Sequence, residues 1–300
     1  MAGSRTRKRP LFVLGVDRSG TSLVSELLFR WGAHPGDPDR LPQGDAGNPQ
    51  GYWEYQPIQD FVAELVNSVG CSLWDPAFKE AVRRQASDLA LRARALELAA
   101  EMESPGLPWF WKEPEFVLTL PFWVELFPDA VYLITLRNPH DSALSYKKFY
   151  LPAMLEDKVR LTAYFFLRWQ HFMVSIFEEL KHYRPKLLVQ YEELVSHPHE
   201  QCDRICRFLA AEYGDAVPSG RGGVDQMTEA ISPRLWRNNG GLPFAAAPGA
   251  SAAQKDLYAY LASHAEGGLE GFDPAHYPFP ECFAEYMSNM AVFKWLFDNL

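Results

Sequence analysis

The chain has 300 residues, 47% of them hydrophobic and 22% charged, and is long enough to bury the core of one large α/β domain. Its formal net charge of −9 at pH 7 argues against nucleic-acid binding, which requires a basic face. No apolar run approaches the length of a membrane span, and the four cysteines form no dense disulfide pattern. We therefore expect a disordered basic tail over residues 1–10, a single domain over residues 11–300, no integral membrane segment and a cytoplasmic location.

A short apolar run from Leu11 to Val16 predicts a buried strand that leads directly into a glycine-containing loop. Gly20 permits a tight turn, so that successive N–H groups and the positive end of the following helix converge on an anion. Gly15 and Gly20 have the spacing of a nucleotide-binding loop, but Thr21 stands where an ATPase or GTPase has its lysine. Arg18 supplies the cation instead, and this favours a nucleotide other than ATP or GTP.

Two later segments place polar residues where predicted strands end. Trp111-Lys112-Glu113-Pro114 precedes a helix predicted from Phe116 to Phe127. The strand predicted from Ala130 to Leu136 ends at Arg137, and Ser145 follows eight residues later inside the next helix. Alternation of strands and helices predicts a parallel sheet with helices on both faces, whose ligands bind at the carboxyl ends of the strands.

The rest of the chain is predicted to be mainly helical, with an irregular Gly/Pro-rich stretch over 218–249 as a candidate lid. The aromatic residues of the long helix after residue 153 are expected to pack in the core. The predicted helices are Ile58–Val69, Val82–Met102, Ala153–His182, Gln201–Ala211, Ala252–Ser263 and Glu281–Phe297.

Four segments, taken in their order along the chain, resemble segments of the sulfotransferases that use 3′-phosphoadenosine-5′-phosphosulfate (PAPS). Arg18-Ser19-Gly20-Thr21 looks like the segment that binds the 5′-phosphosulfate in that family, and Arg137 with Ser145 looks like the pair that binds the 3′-phosphate. Lys112-Glu113-Pro114 looks like the Lys-Asp-Pro of tyrosylprotein and bacterial sulfotransferases. Tyr191-Glu192-Glu193-Leu194 looks like the family's Tyr-Glu-Asp-Leu. The C-terminal third shows no clear copy of the glycine-rich nucleotide segment of cytosolic sulfotransferases.

The resemblance implies a P-loop-type parallel sheet flanked by helices on both faces, and transfer of a sulfuryl group from PAPS to a hydroxyl or amine. It implies release of 3′-phosphoadenosine-5′-phosphate (PAP) and no metal. We expect a small-molecule, lipid or glycan acceptor and no nucleic acid, and we leave the oligomeric state open. Arg18 and Lys112 would stabilise charge that develops during transfer. The residues expected to bind the nucleotide are Arg18, Ser19, Gly20, Thr21, Ser22, Arg137 and Ser145.

A hydroxyl acceptor also requires a base, and Glu54 is the candidate. Residues 48–54 read Asn-Pro-Gln-Gly-Tyr-Trp-Glu and look like a segment of bacterial sulfotransferases, while a glutamate after this loop is the base in tyrosylprotein relatives. Tyr52 and Trp53 would raise the pKa of Glu54 by excluding water. Alternatively, Glu54 orders the loop by pairing with an arginine. His34, in the predicted loop over 32–51, is the rival base.

Two other functions stay open at this point. A P-loop kinase would use ATP and Mg²⁺, although the loop lacks the lysine such enzymes need. A catalytically inactive protein would bind PAP without turnover. A zinc site on the Cys202-containing helix is disfavoured because the histidine and cysteine spacing there matches no standard pattern.

Overall fold

The computed structural model describes residues 9–44, 51–150, 158–183, 185–214, 223–232, 241–265 and 269–289. Its described strands form one parallel sheet in the order β2-β1-β3-β4. In the centre, β1 pairs with β2 on one side and with β3 on the other, so that Val13 lies opposite both Lys112 and Leu133. The strands are β1 Leu11–Leu14, β2 Phe110–Lys112, β3 Val131–Leu136 and β4 Lys186–Gln190.

The described helices cover both faces of this sheet, as the sequence predicts. Successive strand residues point to opposite faces, so Phe12 belongs to one hydrophobic core and Val13 to the other. The helices are α1 Thr21–Trp31, α2 Gln56–Ser68, α3 Phe78–Gln85, α4 Leu89–Glu103, α5 Phe116–Leu126, α6 Pro139–Tyr150, α7 Lys158–Leu180, α8 Tyr191–Ser196, α9 Pro198–Tyr213, α10 Val224–Thr228 and α11 Ala252–Ser263.

The larger core, on the Phe12 face, is built by α2 to α7 and α11, and the smaller core is built by α1, α8, α9 and α10. The aromatic residues of α7 lie in the larger core, which confirms their predicted packing role. Because the chain leaves β1 for β2 on one side and later adds β3 on the other, the carboxyl end of β1 is a topological switch point, where open α/β sheets bind ligands. None of the described helices is long and apolar enough to cross a membrane.

One helix prediction is wrong, and a capping residue explains why. The helix predicted over Val82–Met102 is two helices, because the carboxylate of Asp88 accepts hydrogen bonds from the N–H groups of Ala90 and Leu91 at 2.8 and 3.0 Å and starts α4 afresh. By contrast, α11 has the predicted bounds and begins with a capping box at Ser251.

Other boundaries shift by a few residues. β1 ends at Leu14 because Gly15 turns the chain with φ +155°. The predicted tail ends earlier than residue 10, since Arg9 pairs with Glu212 at 2.7 Å and the Pro10 carbonyl accepts from Val131 N–H. Residues 1–8, 153–157 and 290–297 of the predicted segments lie outside the described residues. The stretch over 218–249 is described only in part and includes α10 and a short 3-10 turn at Phe244–Ala246.

Candidate active site

The phosphate loop joins β1 to α1 and adopts backbone conformations that are uncommon outside glycine. Arg18 has φ +65° and Gly20 has φ +102°, after which α1 begins at Thr21. A Cβ on Gly20 would lie 2.5 Å from Cδ2 of Tyr191, so this position accepts no side chain. The first turn of α1 carries no acidic residue, and its N–H groups are therefore suited to an anion.

Ser19 braces the phosphate loop from inside, and its predicted role in nucleotide binding stays a prediction. Its hydroxyl donates to the Val16 carbonyl at 2.7 Å and lies 2.6 Å from Oγ1 of Thr135, while its N–H bonds to the same carbonyl. The Thr135 hydroxyl donates in turn to the Leu14 carbonyl at 3.3 Å. Ser19 is 1% exposed, and its hydroxyl points towards the sheet, where Thr135 lies.

The structure brings together the two halves of the predicted nucleotide site. Nε of Arg18 donates to Oγ of Ser145 at 3.0 Å, and Nη1 of Arg137 donates to the Arg18 carbonyl at 3.0 Å. The guanidinium of Arg137 also lies 4.4 Å from the ring centroid of Tyr191. The loop after β1 and the start of α6 thus form one cationic cluster at the switch point.

The Tyr-Glu-Glu-Leu segment supports this cluster through its first glutamate. The carboxylate of Glu192 accepts a hydrogen bond from Asn138 N–H at 2.9 Å, and the Asn138 amide donates to the Leu242 carbonyl at 3.0 Å. Burial raises the pKa of Glu192, and the bond from Asn138 partly offsets that rise. Glu192 therefore fixes the turn that follows Arg137. Asn138 in that turn also contacts Leu242, in the described part of the predicted lid.

A second cluster forms around Lys112, at the carboxyl end of β2. The Lys112 ammonium donates to the Glu54 carboxylate and, at 3.1 Å, to the Tyr52 carbonyl. The Lys112 and Glu54 side chains are 5% and 8% exposed. The ion-pair partner of Glu54 is this lysine and not an arginine, and the alternative in which Glu54 only orders its loop stays open.

The backbone at Trp53 aims Glu54 at Lys112. Trp53 has φ +65°, a strained conformation for a bulky residue. Its ring packs 5.2 Å from Phe29 and 6.3 Å from Phe110, measured between ring centroids. Such strain persists only where the surrounding structure over-determines it, and here it lies immediately before the candidate base.

Burial raises the pKa of Glu54, as the sequence predicted, although Lys112 partly offsets the effect. The carboxylate of Asp17, in the phosphate loop, raises the Glu54 pKa further. Oε2 of Glu54 is buried and has no hydrogen-bond partner among the described residues. The site therefore presents one carboxylate oxygen held by an ammonium and another that can receive a proton.

Glu113, which follows Lys112 in the chain, has a pKa that is shifted much further than the pKa of an ordinary carboxyl group. Burial, followed by a hydrogen bond to Glu115 and repulsion from neighbouring carboxylates, raises the pKa of Glu113 to about 10. This shift favours the neutral acid form of Glu113 at neutral pH, while the carboxylate in direct contact with Lys112 is that of Glu54.

The sequence reading missed two features of the site. Arg168 of α7 forms a buried ion pair with Asp17, and Thr135 braces Ser19 from β3. A lone arginine among the aromatic residues of α7 was the available signal for the first. His34, the rival base, pairs with Trp109 at the amino end of β2. Lys112 lies at the carboxyl end of β2, so this placement favours Glu54 over His34, and the choice of base stays a prediction.

Comparison with known proteins agrees with the motif reading. A sequence model described as "Sulfotransferase family" matches residues 10–215. The protein-tyrosine sulfotransferase of Drosophila melanogaster is 26% identical over 231 residues, which cover 71% of this chain and 40% of the relative. Protein-tyrosine sulfotransferase 1 of Danio rerio is 23% identical over 222 residues, which cover 69% of this chain and 54% of the relative.

Among solved structures, the sulfotransferase domain of the Synechococcus PCC 7002 olefin synthase superposes with a TM-score of 0.44 at 17% identity, covering 87% of this chain and 98% of that one. The matched regions take in about half or less of the two protein-tyrosine sulfotransferases. The family match covers more than half of this chain, including the phosphate loop, Lys112, Arg137 and Ser145. The chain belongs to the sulfotransferase family.

Proposed function

We propose that the protein transfers a sulfuryl group from PAPS to a hydroxyl. The observation that carries this proposal is the arrangement of two clusters at one sheet edge: Arg18, Arg137 and Ser145 beside the phosphate loop, and Lys112 with Glu54 at the end of the neighbouring strand. The first cluster suits a nucleotide with phosphates at two positions. The second supplies a base and a cation for the reacting groups.

In the proposed reaction, the acceptor oxygen forms a bond to sulfur while the bond between sulfur and the bridging oxygen breaks. The acceptor proton passes to Glu54, whose raised pKa suits it to that task. Negative charge develops on the bridging oxygen, and Lys112 and Arg18 stabilise it. Protonation of Glu54 weakens its attraction for Lys112, so the ammonium becomes available to the leaving oxygen as the reaction proceeds.

The acceptor belongs to the same proposal. Both curated relatives described above are named as protein-tyrosine sulfotransferases, and this supports the phenolic hydroxyl of a protein tyrosine as the first acceptor to test. The small-molecule, lipid and glycan acceptors favoured by the sequence stay predictions, as do the cytoplasmic location and the single domain.

The test is incubation of the purified protein with ³⁵S-labelled PAPS and a panel that contains a tyrosine peptide, a simple phenol, an aliphatic alcohol and an amine. We expect PAPS-dependent labelling of a phenolic acceptor without added metal. Binding of PAP with no transfer to any acceptor would favour the inactive binding protein. Absence of PAP binding, together with Mg²⁺-dependent consumption of ATP, would favour a kinase and contradict the proposal.

A further inference from the structure

A buried arginine outside the predicted motifs contacts the phosphate loop. Nε and Nη2 of Arg168 lie 2.9 and 2.8 Å from Oδ2 of Asp17, the residue immediately before Arg18. The two side chains are only 9% and 11% exposed. An ion pair this deeply buried is weakly screened, so each of its charges acts strongly on its neighbours.

Aromatic rings enclose the same guanidinium. Its Cζ lies 4.3 Å from the ring centroid of Phe172 and 5.8 Å from that of Trp74. A second carboxylate, that of Glu115, lies 3.7 Å away on the segment that follows Lys112. Arg168 therefore connects the loop after β1 with the turn after β2, which are the two segments that carry Arg18 and Lys112.

The position of Asp17 poses an electrostatic problem. A carboxylate inside a loop that binds an anion repels the ligand, and burial strengthens the repulsion because little water screens it. We infer that Arg168 is a positioning residue of the donor site, whose charge neutralises Asp17 so that the loop can bind a polyanionic nucleotide. This inference rests on the proposed function, since the ligand is the donor nucleotide.

Two substitutions that break the same ion pair distinguish charge neutralisation from simple structural support. Arg168→Met leaves the Asp17 carboxylate uncompensated, whereas Asp17→Asn leaves the Arg168 cation. We expect Arg168→Met to weaken PAP binding about tenfold or more, with a smaller loss for adenosine 5′-phosphate, which carries less charge. We expect Asp17→Asn to bind PAP as tightly as the wild type or more tightly. Isothermal titration calorimetry measures the affinities, and melting temperatures are recorded alongside.

The matched control is Arg83→Met, which removes an arginine of α3 bonded at 2.7 and 2.9 Å to Glu179, near the carboxyl end of α7 and eleven residues beyond Arg168. It changes the net charge equally and should leave PAP affinity unchanged. If Arg168→Met and Asp17→Asn lose affinity together, or if Arg168→Met loses none, the inference is overturned. If the wild type itself does not bind PAP, the proposed function fails instead.

A further variant covers the case in which Arg168→Met does not fold. The double variant Arg168→Met/Asp17→Asn buries no unpaired charge from this pair. We expect its PAP affinity to lie within about threefold of the wild type, since sites in one ion pair compensate each other in a double-mutant cycle. A double variant that folds but binds PAP tenfold more weakly would overturn the inference.

Discussion

The two cationic clusters at the sheet edge are oriented by different kinds of partner. In the donor cluster, Arg18 donates to a hydroxyl, and Arg137 donates to a carbonyl and lies over an aromatic ring. In the transfer cluster, Lys112 is held by a buried carboxylate. These contacts orient the two guanidiniums without cancelling their charge, although the Glu192 carboxylate also attracts Arg137. A cation held mainly in this way suits binding of an anion. A carboxylate partner cancels the charge until the carboxylate takes a proton, which suits a step in which charge must appear during the reaction.

The largest effect is expected at Lys112. Replacing Lys112 with Ala removes the cation that stabilises the leaving oxygen and leaves Glu54 buried without its partner, so kcat should fall about 10²–10³-fold or more. PAP affinity should change far less, because the donor cluster is intact. Steady-state kinetics and calorimetry separate the two quantities.

The control for that variant is Lys186→Ala. This lysine lies at the amino end of β4, where it donates to the Tyr183 carbonyl at 2.7 Å. It should leave kcat near the wild-type value. A Lys112→Ala enzyme with normal kcat and a raised KM for PAPS would make Lys112 a binding residue like those of the donor cluster.

The second prediction concerns Glu54. Glu54→Gln keeps the size of the side chain but cannot accept the proton, so turnover should fall about 10²-fold, most for acceptors of high pKa. The wild-type activity should rise with pH as Glu54 ionises, with its midpoint above the ordinary 4.5, because burial favours the protonated form. The pH profile of kcat/KM should lose this acidic limb in the variant.

Glu26→Gln is the matched control, since Glu26 is a buried carboxylate of α1 that pairs with Arg30 at 2.6 Å outside the site. Its turnover should stay near that of the wild type. If the pH profile of kcat/KM keeps its acidic limb in Glu54→Gln, Glu54 is not the base and only orders its loop.

A smaller effect, confined to binding, is expected at Arg137. Arg137→Ala should weaken PAP binding by about 1.5–3 kcal/mol, the value of a charge-assisted contact. Binding of adenosine 5′-phosphate, which lacks the 3′-phosphate, should change little. Arg204→Ala, which removes contacts to two carbonyls away from the site, is the control. Equal losses for both nucleotides would contradict the assignment of Arg137.

Thr135 supports the donor cluster only indirectly, so its effect should be smaller still. Thr135→Val keeps the shape but removes the contact with Ser19, whose hydroxyl retains its bond to Val16. We expect PAP affinity to fall by about 1 kcal/mol. Thr119→Val, in the core of α5, should lower the melting temperature without a change in PAP affinity. If Thr135→Val leaves the PAP affinity unaltered, the contact between Thr135 and Ser19 does not support nucleotide binding.

The smallest effect on activity is expected at Glu113, which follows Lys112 in the chain and whose raised pKa favours the neutral acid. Glu113→Gln mimics the neutral acid and should retain most activity. In the wild type the folded-state pKa of about 10 exceeds the ordinary 4.5, so the folded state holds an extra proton between these values and stability falls as pH rises through them. Denaturant unfolding from pH 5 to 9 should show a shallower fall in the variant. An equally steep fall would mean that Glu113 is ionised.

Much of the architecture followed from local signals. The apolar runs before Arg18 and Arg137 identified β1 and β3, and α11 has its predicted bounds. The capping box at Ser251 that starts α11 was not part of that prediction. The helix over 82–102 was mispredicted because apolar periodicity continues across Asp88, and only the turn there shows the aspartate acting as a cap. The motifs and their spacing also predicted that Arg18, Arg137 and Ser145 belong to one site, and the structure brings these three residues together.

The sequence by itself determined the parallel α/β sheet, the phosphate loop and the identity of the cations at the strand ends, since these depend on local pattern and short spacing. Only the tertiary structure decided which side chains become partners. Lys112 meets Glu54 across 58 residues of chain, and Arg168 meets Asp17 across 151. Such pairs carry no local pattern, because packing of α7 against the sheet and the turn at Trp53 bring them together.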